Sequence, residues 1–141
     1  MKYICDAPNG KTWFRIETEA EATAESALMR HAVDKHFRKA REVALQNYQP
    51  TSSVYIEREI GLKSHLQSAM PIFLTLRDGD GNGLATAMLP PGGREDGDFH
   101  VIIVGPGNSD PYPGEGDAIE ALGAHFAITL DRERCYPYYR V

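Results

Sequence analysis

The feature that most constrains this chain is an uninterrupted stretch, residues 19–47, that contains neither glycine nor proline. Thr18 precedes the stretch and Glu21 follows Thr18 by three residues, which is the spacing of a capping box at a helix start. Pro50 lies just beyond the stretch, as is typical after the end of a helix. The sequence therefore predicts a helix over 19–47.

Apolar residues recur along this helix at intervals of three or four, which is the pattern of a helix face packed against a core. The stripe consists of Met29, Val33, Phe37, Ala40 and Ala44, and it is widened by Leu28, Ala32, His36 and Val43. Met29, Val33 and Phe37 are therefore expected to be buried core residues and not a cofactor site.

The predicted helix is long for a chain of this size. At about 1.5 Å per residue, 29 residues would span about 43 Å. A domain of 141 residues has a diameter of about 37 Å. The helix therefore spans the whole domain, breaks, or extends towards a partner.

The rest of the sequence predicts short strands joined by turns. Asn9-Gly10 between apolar segments indicates a hairpin, and residues 54–60 alternate apolar and polar side chains like a strand with one solvated face. The predicted strands are 2–6, 12–17, 54–60, 71–76, 84–89 and 99–104, with a further edge strand at 136–141. Residues 62–70 are ambiguous and fit one helical turn.

A second, shorter helix is expected to begin at Asp117, with Ile119, Leu122 and Phe126 on one face. Gly123 leaves its end open, so residues 126–130 fit either a helix or a strand. Together the elements predict one α+β domain over 1–141. It is an antiparallel sheet of five to seven strands with one long helix packed on a face and a second short helix near the C-terminus.

Charge and cysteine content restrict the classes of partner. The net charge is −5, and residues 77–141 carry five Lys/Arg against eleven Asp/Glu, which disfavours a nucleic-acid backbone. The first residues lack the pattern of a signal peptide, and no apolar run is long enough for a membrane span. Cys5 and Cys135 form no CxxC motif, so reduced thiols in a cytoplasmic protein without a cofactor are expected.

Asp78, Asp80, Asn82 and Gly83 match the first half of a calcium-binding loop. The second half does not match, because Leu89 occupies the position of the bidentate glutamate and the flanks are predicted strands. A tight turn between strands selects the same residue types. The sequence therefore favours a turn and no metal site.

The segment 105–116 is rich in glycine and proline and lies between an apolar strand and the second helix. Irregular loops of this length often bind ligands. The candidate ligand-binding residues are Gly105, Gly107, Asn108 and Ser109. Glu115 and Asp117 occupy the helix start, where their charge disfavours an anionic ligand.

His100, in the apolar strand, and Asp110, in the following loop, form a candidate catalytic pair if the fold brings them together. His36, on the apolar stripe, is a further candidate base or ligand. Five basic residues, Arg30, Lys35, Arg38, Lys39 and Arg41, make the second half of the predicted helix positive. The helix dipole explains such an arrangement without a partner.

Two hypotheses for the function remain. The first is a non-enzymatic protein-interaction or regulatory domain that acts as a homodimer, because one long helix leaves the second face of strand 99–104, including Ile102 and Val104, without a cover. The second is a small-molecule-binding protein or an enzyme with its site in the loops at 77–83, 90–98 and 105–117. The sequence does not identify a substrate or a partner.

Overall fold

A computed structural model describes residues 1–51 and 53–135. The strands are β1 Lys2–Ala7, β2 Lys11–Arg15, β3 Ile72–Arg77, β4 Gly83–Leu89 and β5 Ile102–Val104. The helices are α1 Glu19–Met29, α2 Val33–Gln46, α3 Tyr55–Ala69 and α4 Tyr112–Phe126. The α+β class is confirmed, and the predicted edge strand at 136–141 lies outside the described residues.

The five strands form one antiparallel meander in the order β1-β2-β3-β4-β5. Asn9 and Gly10 both have positive φ, as the tight turn of the first hairpin requires. The strand count falls within the expected five to seven. The last strand is shorter than predicted, since only residues 102–104 of the apolar run 99–104 are paired.

The predicted long helix is two helices, so of the three alternatives the break is the correct one. Helix α1 ends at Met29 and is capped by Arg30, which takes a left-handed conformation with φ 56°. Ser26 and Asp34 hold the bend, because the Ser26 hydroxyl donates to Asp34 Oδ1 and accepts from the Asp34 amide. We call residues 30–32 the elbow.

Because the chain bends at the elbow, residues of α1 and α2 do not share one continuous helix face. Part of the predicted apolar stripe is therefore wrong. Met29, Val33 and Phe37 are buried, as predicted. The residues expected to widen the stripe are exposed instead, namely Leu28, Ala32, His36 and Val43.

The predicted strand at 54–60 is wrong, because this segment is the start of α3. Ile56 and Ile60 fit a helical interval of four as well as the strand alternation, so periodicity alone did not separate the two. Hydrogen bonds connect α3 to the end of α2 and the residues after it. His65 Nε2 lies 2.8 Å from Ala44 O, and the Tyr48 hydroxyl donates to Arg58 O. No residue of α3 is fully buried.

The sheet is covered by helices on both faces. On one face α1 and α2 enclose a core of Ile16, Ala22, Val33, Phe37, Ala44, Met70 and Phe73. On the other face α4 packs through Ile119 and Leu122 over Trp13, Leu74, Leu76 and Ile103. Trp13 Nε1 donates to Ala118 O at 2.8 Å and ties α4 to the sheet.

Helix α4 corrects two expectations. It begins at Tyr112, ahead of the predicted cap Asp117, and runs through Gly123 to Phe126, after which residues 127–130 are neither helix nor strand. A Cβ on Gly123 would lie 2.6 Å from Ile128 O, so only glycine allows the chain to return so closely. Helix α4 covers the face of the sheet on which Ile103 lies. Ile102 and Val104, which carried the homodimer argument, lie on the opposite face beside Val33 and Phe73, where Val104 is only 9% exposed.

Phe37 offers a test of this packing. Its ring meets that of Phe73 edge-on, with centroids 5.2 Å apart, and is 2% exposed. We expect Phe37→Ala to lower the free energy of unfolding by about 3–5 kcal/mol in urea denaturation. Val43→Ala, on the same helix but 49% exposed, is the control with a small effect. A Phe37→Ala protein as stable as the Val43→Ala protein would contradict the described core.

Candidate functional site

The most unusual side chain in the fold is the carboxylate of Glu25 on α1, which is completely buried. Buried charges are expensive unless they are paired and hydrogen-bonded. Arg77 Nη2 donates to Glu25 Oε1 at 2.5 Å, and the Thr86 hydroxyl donates to Glu25 Oε2 at 2.7 Å. Arg77 Nε also donates to Thr75 Oγ1 at 3.0 Å. The polar network therefore satisfies both oxygens of Glu25 and joins α1 to β3 and β4.

His31 at the elbow extends this network. Its Nε2 lies 2.8 Å from Thr86 Oγ1. Because Thr86 gives its proton to Glu25, the hydroxyl accepts from His31 Nε2–H. The Val33 amide donates to His31 Nδ1 at 3.4 Å, which suits the same neutral tautomer. Burial lowers the pKa of His31 and outweighs the negative charges of Glu25 and Asp34, which raise it. The ring is therefore neutral near pH 7.

The network ends at a cavity of about 160 Å³ between the elbow, β4, β5 and the turn after β5. We call it the elbow cavity. Its polar lining consists of His31, His36, Thr86 and Asn108, and its apolar lining includes Val33, Phe73, Ala87, Met88, Ile102 and Val104. An apolar pocket with a few fixed polar groups is the usual form of a small-molecule site.

The predicted ligand loop contributes one residue to this cavity. Gly105 N donates to Ser109 O at 2.7 Å, and the Ser109 hydroxyl donates to Pro106 O, so the loop closes on itself. Gly107 and Asn108 take left-handed conformations at its tip, and Asn108 lines the cavity. A Cβ on Gly107 would lie 3.9 Å from Arg30 Nη2, which shows how closely the loop approaches the elbow.

The candidate pair His100 and Asp110 lies elsewhere. His100 is exposed, and neither residue lines the elbow cavity. Asp110 Oδ1 accepts from the Tyr112 amide, and its Oδ2 accepts from Arg132 Nε at 2.7 Å. The carboxylate is therefore occupied at the start of α4, and the pair stays a prediction that this geometry does not favour. His36, the other candidate histidine, is at the rim of the elbow cavity.

The loop resembling a calcium site forms a turn. Asp78 Oδ1 accepts from the amides of Asp80 and Asn82, and its Oδ2 accepts from Asn82 Nδ2. These hydrogen bonds lower the pKa of Asp78, and the one from the Asn82 side chain has the largest effect. Gly83 has a packing role, since a Cβ there would lie 2.5 Å from Met29 Sδ. Asp78, Asn82 and Gly83 therefore each have a structural role in the turn, and the absence of calcium binding stays a prediction.

Within the described ranges, no group of three or more His, Cys, Asp or Glu side chains is arranged to hold a metal ion. Cys5 and Cys135 are both free thiols, and burial raises the pKa of each. None of the helices in the described part of the chain combines the length and the apolar character needed to cross a membrane.

Sequence reasoning missed the centre of the site, namely Glu25, Arg77 and Thr86. One signal was present: Glu25 lies at helical spacing between Ala22 and Met29, so a carboxylate stands on an apolar face. A charged residue at such a position needs a buried partner. The identity of that partner depends on residues 52 and 61 positions further along the chain.

Comparisons of the chain with protein-family models, with curated proteins and with solved structures found no significant match. The case for a function therefore depends on the geometry of the site.

The buried ion pair gives a first prediction for the site. We expect Glu25→Ala to lower the free energy of unfolding by about 3–5 kcal/mol, because Arg77 is left without its counter-charge. Replacing both partners, in Glu25→Leu with Arg77→Met, is expected to recover most of this loss. Glu120→Ala removes an exposed carboxylate and serves as the control, with a change of about 0.5 kcal/mol or less. Urea unfolding checks all three, and a double variant less stable than Glu25→Ala would contradict the pairing.

His31 gives a prediction about pH. Burial lowers its folded-state pKa below the ordinary value of 6.5, so the unfolded chain takes up the proton first as the pH falls. This contribution to stability is complete above about pH 6.5 and decreases below it. We expect His31→Gln, which keeps a donor for Thr86, to reduce the loss of stability between about pH 7 and pH 5. The exposed His125→Gln is the control. An unchanged pH profile in His31→Gln, measured by urea unfolding, would contradict this.

Proposed function

We propose that this protein binds a small molecule in the elbow cavity. The observation that carries the proposal is the hydrogen-bonded chain from Glu25 through Thr86 to His31, which ends at an apolar pocket. A small domain that buries a charge gains little stability from it over an apolar core. The network fixes the orientation of the His31 ring, which lines the pocket, and this gives the buried charge a role in shaping the binding site.

The lining defines the chemistry of the ligand. The cavity of about 160 Å³ is close to the roughly 150 Å³ cavity that holds benzene in an engineered protein core. No Lys, Arg, Asp or Glu side chain lines it, and the nearby Arg77 is paired with Glu25. The best ligand is therefore a small, mostly apolar, neutral molecule with one hydrogen-bonding group.

The arrangement supports binding more than catalysis. Both nitrogens of His31 already have partners, and the Thr86 hydroxyl gives its proton to Glu25. A nucleophile or a general base needs a group that is within reach of the substrate and able to exchange a proton. His36 and Asn108 at the rim supply hydrogen bonds that can orient a ligand.

A second candidate function is protein interaction as a homodimer, now through a different surface. Tyr55, Ile56 and Ile60 on α3 are 75%, 68% and 65% exposed, and Val54 beside them is 53% exposed. Contiguous apolar residues on a surface often mark an interface. We call residues 54–60 the α3 patch and propose that it forms the contact between the two chains.

We also propose that the protein is cytoplasmic and that residues 1–141 form a single domain.

Phenol tests the elbow cavity, since it has one ring and one hydroxyl. In amide NMR titrations we expect saturable shifts at residues 31–36, 86–88 and 102–108, with a dissociation constant on the order of a millimolar. Ile102→Trp fills the cavity and is expected to abolish these shifts. Ile60→Trp makes the same change on exposed α3 and is expected to leave them. Shifts spread over the surface, or unchanged in Ile102→Trp, would reject the site. Native mass spectrometry of the purified protein identifies any ligand that it retains.

Light scattering coupled to gel filtration tests the homodimer. At micromolar protein a mass of two chains is expected, and Ile56→Glu with Ile60→Glu is expected to reduce it to one chain, because two charges would enter the apolar contact. Val43→Glu, on an exposed site of α2, is the control that leaves the dimer intact. A wild-type mass of one chain would reject the dimer and leave the elbow cavity unaffected.

A further inference from the structure

A second cavity, of about 220 Å³, lies where the end of β2 meets α2 and α3. Three cationic side chains line it: Arg15, Arg41 and Lys63. We call it the cationic cleft. Its apolar floor includes Ile16, Phe37, Leu66 and Met70, of which Ile16, Phe37 and Met70 are buried.

The positive charge of the cleft is poorly neutralised. Arg15 donates to the backbone carbonyl of Gln67. Burial lowers the pKa of Arg15, and the negative charge of Glu17 opposes this only in part. Lys63 has no ion-pair partner among residues 1–51 and 53–135. Arg41 Nη1 lies 3.8 Å from Glu19 Oε1, at the outer limit of an ion pair.

One carboxylate lines the cleft, that of Glu17, whose Oε2 accepts from Gln67 Nε2 at 3.4 Å. Three cations and one carboxylate give the lining a formal charge of +2, in a chain whose net charge is −5. Positive charge concentrated in a concave site raises the local concentration of anions. The cleft is therefore a local exception to the charge of the whole molecule.

The break at the elbow changes the position of Arg41 relative to the ends of its helix. In one long helix the basic residues would lie towards the C-terminus, where the helix dipole favours them. In the structure α2 begins at Val33, so Lys35, Arg38, Lys39 and Arg41 lie in its first nine residues, and its last turn has no basic residue. The influence of the dipole is confined to the first and last turns of a helix, so it does not account for Arg41, the one of these residues that lines the cleft. Arg38 has a separate structural reason, because it pairs with Asp34.

We propose that the cationic cleft binds a small carboxylate with an apolar body, such as an aryl or short-chain acyl carboxylate. Guanidinium groups pair with carboxylates through two parallel hydrogen bonds, and Arg15 on β2 and Arg41 on α2 both line the cleft. The floor accepts the apolar body, and about 220 Å³ exceeds the roughly 150 Å³ that holds a benzene ring.

This site is separate from the elbow cavity and does not depend on it. Phe37 lines the cationic cleft, Phe73 lines the elbow cavity, and their edge-on ring contact lies between the two sites. A neutral ligand suits the elbow cavity and an anionic ligand suits the cleft, so the two sites can be tested with different probes.

The experiment is an amide NMR titration of the full chain with benzoate at low salt, beside its neutral analogue benzamide and inorganic phosphate. We expect saturable benzoate shifts at residues 15–18, 41 and 63–71. Benzamide and phosphate are each expected to bind about tenfold more weakly, because one lacks the charge and the other the apolar body. Low salt is used because screening weakens exposed charges.

Arg41→Gln with Lys63→Gln is expected to weaken benzoate binding about tenfold. Arg38→Gln with Lys39→Gln removes the same charge from α2 outside the cleft and is the matched control. Melting temperatures verify that both variants fold.

The proposal is overturned if benzamide or phosphate binds as tightly as benzoate, or if the two double variants weaken benzoate binding equally. It is also overturned if the shifts lie at residues 31–36 and 102–108, or if none saturate below about 20 mM benzoate.

Discussion

The packing of α1 and α2 on their face of the sheet depends on the ion pair between Glu25 and Arg77. Glu25 lies at the middle of α1 with no solvent exposure, and its two oxygens reach β3 through Arg77 and β4 through Thr86. Removal of one partner from such a pair is far more damaging than replacement of both by apolar residues. The position of α1, and with it the elbow, follows from this pairing.

The elbow follows from the same network. In a straight helix, residues 25 and 31 would point about 120° apart, so Glu25 and His31 would not both reach Thr86. The left-handed Arg30 turns the chain, which brings His31 Nε2 to 2.8 Å from the Thr86 hydroxyl. The bend also opens the elbow cavity and moves the basic residues of α2 to the start of a new helix. The buried carboxylate is thus connected to the bend through Thr86 and His31, and the two cavities lie on either side of the Phe37–Phe73 pair.

The candidate site was visible in the sequence only in part. Asn108 and His36 were singled out and both line the elbow cavity, whereas the proposed pair of His100 and Asp110 has a different environment. Loop composition locates residues such as Asn108, because glycine-rich loops tend to lie at surfaces where ligands bind. Glu25 and its partners escaped notice because an acidic residue on a helix ordinarily belongs to the solvated face.

The sequence by itself determined the features that depend on near neighbours. These are the Asn9-Gly10 hairpin, the capping box of Thr18 and Glu21, the turn around Asp78 and the burial of Phe37. Only the tertiary structure decided the break at residues 30–32, the helical state of 55–69 and the closure of the second face by α4. In each of these cases local preference is nearly balanced, so contacts between residues distant in the chain select the conformation.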